Sequence, residues 1–438
     1  MSRNIFISFL GSSNYKACFY VKDNYASKSV RYVQKATLEF IDAKKWNKND
    51  KAFILVTDGK NGSFIKNWKD NGHVDFRTNE VIEQIGLKTA LKKMNLPFSC
   101  KNIQIKDGKS EEEIWDIFET IFNLLNKNDK IYIDITHGFR YLPMLSIVLA
   151  NYGKLLKGIS IKNISYGNFE SRNEKNEAPI INLTSFSQLQ DWTNAVNLFV
   201  DHGNLNALAL LTKQEITPIL TKSKGKDKTA IALRKLSGSL KEISLSIMTN
   251  NAPDIISGNI FAEFKQNLNQ LENDLIKPLN PILKKIEQKL NKFSNEEDVM
   301  NGFKSVDFCL ESGLIQQAYT MLQESVISLL LDSEELDMKN IDYRAIVSGC
   351  FKIYQEDIPK EKWKENNIKN ESLTNDLLEN KLLHELSSSF NALTDKRNVI
   401  NHAGFNNKSS TKVFKKLERD VIELNRRIKE KLNQLNYM

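Results

Sequence analysis

A change in punctuation midway along the chain constrains its fold more than any other feature. Up to about residue 185, apolar runs of strand length alternate with amphipathic stretches of helix length. The strand-like runs are NIFISFLG at 4–11, AFILVT at 52–57, KNIQIK at 101–106, KIYIDIT at 130–136, IKNISYG at 161–167 and PIINLT at 179–184. Strands separated by helices form βαβ units, whose crossovers lay successive strands side by side and parallel under helices on both faces. A mainly parallel, doubly wound, Rossmann-like α/β domain is predicted. After SFSQLQDWTNAVNLFVDHGN the strand signals stop. Ten of the 18 glycines precede residue 170 and only Pro359 interrupts residues 282–438, so an all-α helical region is predicted for the remainder.

At 438 residues the chain is longer than one hydrophobic core usually serves, and two or three domains are expected. Hydrophobic residues at 41% and charged residues at 26% exclude the disordered and fibrous classes. No run approaches the roughly 18 apolar residues of a membrane span. The N-terminus enters a strand-like pattern instead of a signal peptide, so a cytoplasmic protein with no membrane partner is expected. Cys18, Cys100, Cys309 and Cys350 are widely separated with no C-x-x-C spacing, which indicates neither a zinc site nor a disulfide framework. The formal charge of +8 suits a polyanionic partner without requiring one. With 11 Arg against 51 Lys, an Arg at a suspicious position carries the more information.

Some helices announce their ends. In DGKSEEEIWDIFETIFNLL, Asp107-Gly108 is a turn and Ser110 with Glu113 makes a capping box ahead of Ile114, Ile117, Phe118, Ile121 and Leu125. Polar stretches at 221–230, 293–302 and 361–376 read as loops or linkers. Near the end, Val413, Leu417, Val421, Leu424, Ile428, Leu432 and Leu435 recur every three or four residues, a stripe that reads as intramolecular core before dimer seam.

In a doubly wound sheet, ligands sit outside the carboxyl ends of the strands. The stretch Asp134-Ile135-Thr136-His137-Gly138 occupies such an end, and Pro143, tolerated only in a first helical turn, sets the next helix to begin at about Gly138 to Tyr141. Thr136 or His137 then lies near the N-cap, where unpaired amides favour an anion; Gly138 permits close approach to the backbone and Arg140 adds a charged fork. Gly11, Ser12, Ser13, Asn14 and Tyr15 leave the first strand, and Thr57, Asp58, Gly59 and Lys60 leave the strand at 52–57, so three polar rims converge on one crevice. Neither loop matches the dinucleotide fingerprint or the Walker A pattern. With no second His or Cys near His137, no metal is expected; a phosphate-bearing ligand and a purely structural cap both fit these residues.

The combination of IDITHGFRYLP, FLGSSNY, DGKSEEEIWDIF and ISYGNFE resembles the CRISPR-associated proteins named for an Asp-x-Thr-His-Gly motif, over roughly the first 190 residues. That resemblance implies an N-terminal CARF domain at 1–186 that dimerises and binds cyclic oligoadenylate made by a type III CRISPR complex, in a pocket on the dimer two-fold. By position it implies contacts from Gly11, Ser12, Ser13, Asn14, Asp134, Thr136, His137, Gly138 and Arg140. The family usually carries Thr or Gly where this chain has Ser12-Ser13; among the rings, cyclic tetra-adenylate is the first expected.

A second motif lies in LTDKRNVINHAGF. On a helix the step from Arg397 to His402 turns about 140°, whereas Asn398 lies under His402 and Arg397 under Asn401. Arg, Asn and His suit metal-free RNA cleavage. Arg can stabilise charge growing on the phosphoryl oxygens, His can move a proton near neutral pH, and Asn can hold either by hydrogen bonds, giving a 2′,3′-cyclic phosphate and a 5′-hydroxyl. Glu324 reads either as a support for this site or as part of an exposed face, and His384 as either core or site.

This motif resembles the Arg-x4–6-His signature of HEPN ribonucleases, in an all-helical C-terminal region behind a CARF-like domain. The resemblance implies a helical connecting domain at 187–300 and a HEPN ribonuclease domain at 301–438. Two copies would dimerise to form a composite site from Arg397, Asn398 and His402. The implied activity is metal-independent cleavage of single-stranded RNA, activated by cyclic oligoadenylate, in a homodimer or higher homo-oligomer with no catalytic cofactor. No helix-turn-helix or zinc-finger pattern is present, so no DNA partner is expected. A cyclic-oligoadenylate-binding regulator and a ring nuclease without RNase activity are the alternatives.

Overall fold

The computed structural model describes residues 2–74, 81–139, 141–271, 279–403, 405 and 415–437. The chain divides into two compact units, Met1–Gln188 and Leu189–Met438.

The first unit contains, in chain order, β1 (Asn4–Phe9), β2 (Phe19–Lys22), β3 (Tyr25–Ala26), α1 (Val33–Phe40), β4 (Lys51–Thr57), β5 (Asn71–Val74), β6 (Val81–Gln84), α2 (Leu87–Lys92), β7 (Ser99–Ile105), α3 (Glu111–Leu124), β8 (Lys130–Asp134), α4 (Leu142–Lys157), β9 (Ser160–Gly167) and β10 (Glu177–Asn182). Eight strands form one sheet in the order β3-β2-β10-β9-β8-β1-β4-β7. The strands from β9 to β7 in that order pair parallel. β10 runs antiparallel to β9, β2 joins β10 in parallel, and β3 closes that edge antiparallel. The sheet is therefore mixed, with the doubly wound part at its centre; β5 and β6 form a separate hairpin.

Strand periodicity explains how both faces are buried. Ile5, Ile7 and Phe9 of β1 point to one face with Ile131 and Ile133 of β8, where Ile117 and Ile121 of α3 and Leu142 and Leu149 of α4 cover them. Phe6 points to the other, with Ala52, Ile54 and Val56 of β4, under Leu38, Leu87 and Leu91 from α1 and α2. Each large side chain buried this way contributes about 1.5–3 kcal/mol. The Ser110 cap forms as expected: the Glu113 amide donates to its hydroxyl at 3.2 Å, while the Glu113 carboxylate accepts from the Lys109 amide at 2.8 Å.

The second unit is helical. α5 (Thr184–His202) crosses into it from the first and is followed by α6 (Asn206–Lys222), α7 (Lys228–Met248), α8 (Ala252–Ser257), α9 (Asn259–Asn269), α10 (Leu279–Leu290), α11 (Met300–Glu311), α12 (Ile315–Ser333), α13 (Ile341–Glu356), α14 (Glu365–Lys369), α15 (Glu371–Glu379), α16 (Lys381–Asn401) and α17 (Leu417–Gln434). One hydrophobic cluster extends from Trp192 to Leu432 and takes in residues on both sides of position 300. The final apolar stripe lies in it through Leu417, Val421, Leu424, Ile428 and Leu432, whereas Val413 is outside the described residues. The segment 361–376, expected as loop, instead contains α14 and most of α15. Its buried Asn367 and Thr374 bond to one another, so polar residues that suggested a linker are the internal fastening of a helical corner.

Candidate functional site

β1 is the strand at which the sheet's winding reverses. The chain proceeds from β1 to β4 and β7 on one side, then places β8 and β9 on the other. The loops leaving the adjacent ends of β1 and β8 diverge and open a crevice, the position at which doubly wound sheets hold ligands.

Asp134, the last residue of β8, lies opposite Ser8 of β1 and has no solvent exposure. Its Oδ2 accepts from the Ser8 hydroxyl at 2.7 Å; its Oδ1 accepts from the Thr136 amide at 3.1 Å and the Thr136 hydroxyl at 2.5 Å. The Thr136 oxygen accepts in turn from the Gly167 amide at 2.7 Å. The Asp-x-Thr pair is thus a lock that ties β1, β8 and β9 together beneath the crevice. Burial raises the Asp134 pKa, and the bonds from Thr136 and Ser8 oppose that rise.

Beyond the lock, the chain departs from the expected early helix start. α4 begins at Leu142 with Tyr141 as its N-cap, so Thr136 and His137 belong to a preceding turn and the Thr136 amide is already used by Asp134. Gly138 makes that turn possible with φ +115°; a Cβ there would lie 2.8 Å from Leu142 Cδ1 and 3.0 Å from Phe9 Cβ. Arg140 is outside the described residues.

The loop after β1 folds back over this turn. The Tyr15 hydroxyl accepts from the Gly11 amide at 2.7 Å, and the Tyr15 ring stacks on His137 with centroids 4.1 Å apart. Burial lowers the His137 pKa to about 4, so the imidazole is neutral at physiological pH, and its shielded Nε2 has no hydrogen-bond partner. Two cavities meet at the stacked pair, sharing Ser13, Tyr15, Thr136 and His137. One, of about 300 Å³, adds Asn14, Lys16 and Arg31. The other, of about 290 Å³, adds Gly11, Ser12, Thr57 and Gly138. From the rim after β4 only Thr57 lines either cavity; Asp58, Gly59 and Lys60 do not.

Two residues that hold this site do not stand out in the sequence. Asn67, 1% exposed, donates to the carbonyls of Gly11 at 2.8 Å and Ser13 at 2.9 Å. Arg31 donates to the Asn14 side chain at 3.2 Å and to the Asn67 side chain at 3.3 Å, and its Nε is shielded and unpartnered. The scarcity of Arg in a Lys-rich chain is the signal that could have singled out Arg31. It brings a permanent positive charge to the first cavity, beside Lys16.

The second motif lies at the end of α16, which packs against α12, α13 and α17. Arg397 is in the last turn, with its Nη2 3.9 Å from Glu324 Oε1 and its Nε shielded and unpartnered. Glu324 is held by Arg344, whose Nη2 donates to Oε2 at 2.6 Å and whose Nη1 donates to Ser328 Oγ at 3.0 Å and the Met338 carbonyl at 2.8 Å. Nothing in the sequence around Arg344 singles it out. Asn398 is exposed, and His402, also exposed, is the C-cap of α16, with its amide donating to the Asn398 carbonyl at 3.0 Å. Among the described residues Arg397 and His402 share no hydrogen bond. His384 is structural: it stacks on Tyr354 at 4.2 Å and bonds the Leu378 carbonyl at 2.6 Å. No group of His, Cys, Asp and Glu suited to a metal ion occurs among the described residues, and no helix there is long and apolar enough to cross a membrane.

Residues 5–170 match the model of the CARF domain of the CRISPR system endoribonuclease Csx1, and residues 188–299 match that of the second domain of CRISPR-associated protein MJ1674. Among curated proteins, CRISPR-associated protein MJ1674 of Methanocaldococcus jannaschii is 31% identical over 121 residues, 27% of this chain and 19% of the relative. The chain therefore matches about a fifth of that relative's length. Among solved structures, Enterococcus italicus Csm6 bound to cyclic hexa-2'-fluoro-hexa-dAMP aligns over 98% of this chain and 94% of that one, at 10% identity and a TM-score of 0.43, a weak likeness in shape. The chain thus carries, over residues 5–170, a CARF domain of the kind found in CRISPR-associated proteins, with the Asp-x-Thr lock at the switch point of its sheet.

Proposed function

We propose that this protein is an endoribonuclease that cuts single-stranded RNA without a metal and is switched on by cyclic oligoadenylate. The observation that carries the reading is the pair of cavities at the β1/β8 switch point, divided by the Tyr15–His137 stack and bordered by Arg31 and Lys16. Flat aromatic surfaces suit adenine, and cations beside them suit phosphate. A neutral His137 offers a hydrogen-bonding nitrogen to a base edge, not charge to a phosphate. Gly11, Ser12, Ser13, Asn14 and Gly138 form the walls, Asp134 and Thr136 position them, and Arg140 is assigned to the same site from the sequence. Two adjoining cavities in each of two copies suit a ring of four adenylates.

Dimerisation is supported by α4, whose outer face leaves Met144, Val148, Tyr152 and Leu155 exposed at steps of three or four residues, Leu155 by 82%. A two-fold pair of CARF domains and a two-fold pair of α16 ends would bring together two copies of Arg397, Asn398 and His402. In such a site the RNA 2′-hydroxyl attacks the adjacent phosphorus as its proton passes to His402. The bond from phosphorus to the 5′-oxygen breaks, the leaving oxygen takes up a proton, and Arg397 stabilises the charge on the phosphoryl oxygens. Asn398 holds the phosphate or the imidazole.

The test is to incubate the protein with cyclic tetra-adenylate, single-stranded RNA and EDTA and to identify the product ends by mass spectrometry. A 2′,3′-cyclic phosphate and a 5′-hydroxyl are expected. Dependence on added metal, or 5′-phosphate products, overturns the mechanism, and ring binding without cleavage of any RNA identifies a regulator.

A further inference from the structure

The hairpin of α6 and α7 bears a groove that neither the sensing site nor the cutting site uses. It has a volume of about 740 Å³ and an apolar lining that includes Leu210, Ile216 and Leu220. Ile216 is 3% exposed and forms the floor, whereas Leu210, 57% exposed, forms a lip. A Cβ at Gly238 would meet nothing within 4 Å, so that wall is open. Lys213 on α6 and Arg234 and Lys241 on α7 also line the groove. Arg234, Gly238 and Lys241, at steps of four and three, share one face of α7.

Between residues 206 and 241 the sequence has eight Lys or Arg against two acids, a surplus of six in a chain whose whole formal charge is +8. One of the two acids, Asp227, is occupied as the N-cap of α7, accepting from the Ala230 amide at 2.8 Å. None of the eight cations has an ion-pair partner among the described residues. Lys222 at the end of α6, Lys224 and Lys226 in the turn, and Lys228 at the start of α7 continue the charge beyond the groove. Concentrated, unpaired positive charge repels itself until an anion meets it.

We infer that this groove binds a segment of single-stranded RNA away from the cutting residues, an inference that rests on the ribonuclease reading. Repeated cations beside an apolar floor suit a polymer with a phosphate at every step and an apolar base face between phosphates. An acidic peptide would use the cations but leave the floor uncovered.

The experiment measures anisotropy of labelled single-stranded RNA on the full-length, cutting-defective His402→Ala protein across a series of salt concentrations. The same background carrying Lys213→Gln, Arg234→Gln and Lys241→Gln together is the comparison. The triple variant is expected to bind RNA at least tenfold more weakly at low salt, with the salt slope reduced by about 2, since each single-strand phosphate contact contributes about 0.7. Its melting temperature and its binding of cyclic tetra-adenylate should be unchanged. Unchanged RNA affinity and slope overturn the groove alone, provided the parent protein cuts RNA. No RNA binding by the His402→Ala protein overturns both readings. Poly-glutamate that binds at the groove and is not displaced by RNA overturns the assignment to RNA.

Discussion

Tyr15 and His137, from the loops after β1 and β8, stack with ring centroids 4.1 Å apart, and the two cavities of the candidate ligand site meet at their edges. The phenol holds its own loop by accepting from the Gly11 amide, so the ring is both a wall of the site and a brace. Replacement by Phe should keep the stack and remove the brace, weakening cyclic tetra-adenylate binding about three- to tenfold, in line with one lost hydrogen bond of about 0.5–1.5 kcal/mol. Replacement by Ala removes both and should weaken binding by a further tenfold or more. Calorimetry on the two variants separates these effects; equal affinities for both would remove the stack from the site.

His137 should make the fold sensitive to mild acid. Its pKa is about 4 in the folded protein, below the ordinary value near 6.5, so between these limits the unfolded chain binds a proton that the folded one refuses. Its contribution to stability is complete above pH 6.5 and is lost as pH falls through 4, by an amount on the order of 3 kcal/mol. His137→Gln should flatten the fall in unfolding free energy over that interval relative to the parent. Parallel curves for the two proteins, measured by urea denaturation, would contradict the buried neutral imidazole.

Asp134 is committed to structure by three hydrogen bonds in a site without solvent exposure. Asp134→Ala leaves the Ser8 hydroxyl and the Thr136 amide and hydroxyl without their partner, at a cost of about 3 kcal/mol or more. Ligand binding should be lost with it, because the turn carrying His137 is released. Asp134→Asn preserves the shape and should recover much of both. Denaturation and ligand titration on the pair check this; ligand affinity retained in the Ala variant would show that the turn does not depend on the lock.

Arg344 holds Glu324 at 2.6 Å while the other carboxylate oxygen faces Arg397 at 3.9 Å, which makes Arg344 a positioning residue in the proposed cutting site. Arg344→Ala should lower kcat for RNA about tenfold with KM and ring affinity little changed, and Arg344→Lys should restore part of the rate. A loss explained by fraction unfolded alone, with no rescue by Lys, would make Arg344 merely structural.

The central strands were legible because each carries a run of apolar residues that both sheet faces demand. β2, β3 and the β5–β6 hairpin were not, since strands of two to four residues are too short to show a repeating pattern. The segment 361–376 reads as a loop in the sequence because the polar residues that fasten its two short helices internally leave no apolar period. At the candidate ligand site, the order Asp134, Thr136, His137, Gly138 pointed to a strand end. What the sequence could not show was that Asp134 faces inward to Ser8, 126 positions away. Arg31, Asn67 and Arg344 escaped for the same reason. Their partners lie 17, 56 and 20 positions away, and only the closed sheet or the packed helices bring them together.

The most direct test crosses the two sites in one assay, measuring RNA reporter cleavage against cyclic tetra-adenylate concentration for the parent, Arg31→Ala and His402→Ala proteins. The account predicts that Arg31→Ala needs at least tenfold more ring to reach the parent's maximal rate, while His402→Ala binds the ring as tightly as the parent and cuts nothing. Cleavage independent of the ring, or undiminished in the His402→Ala protein, would contradict it.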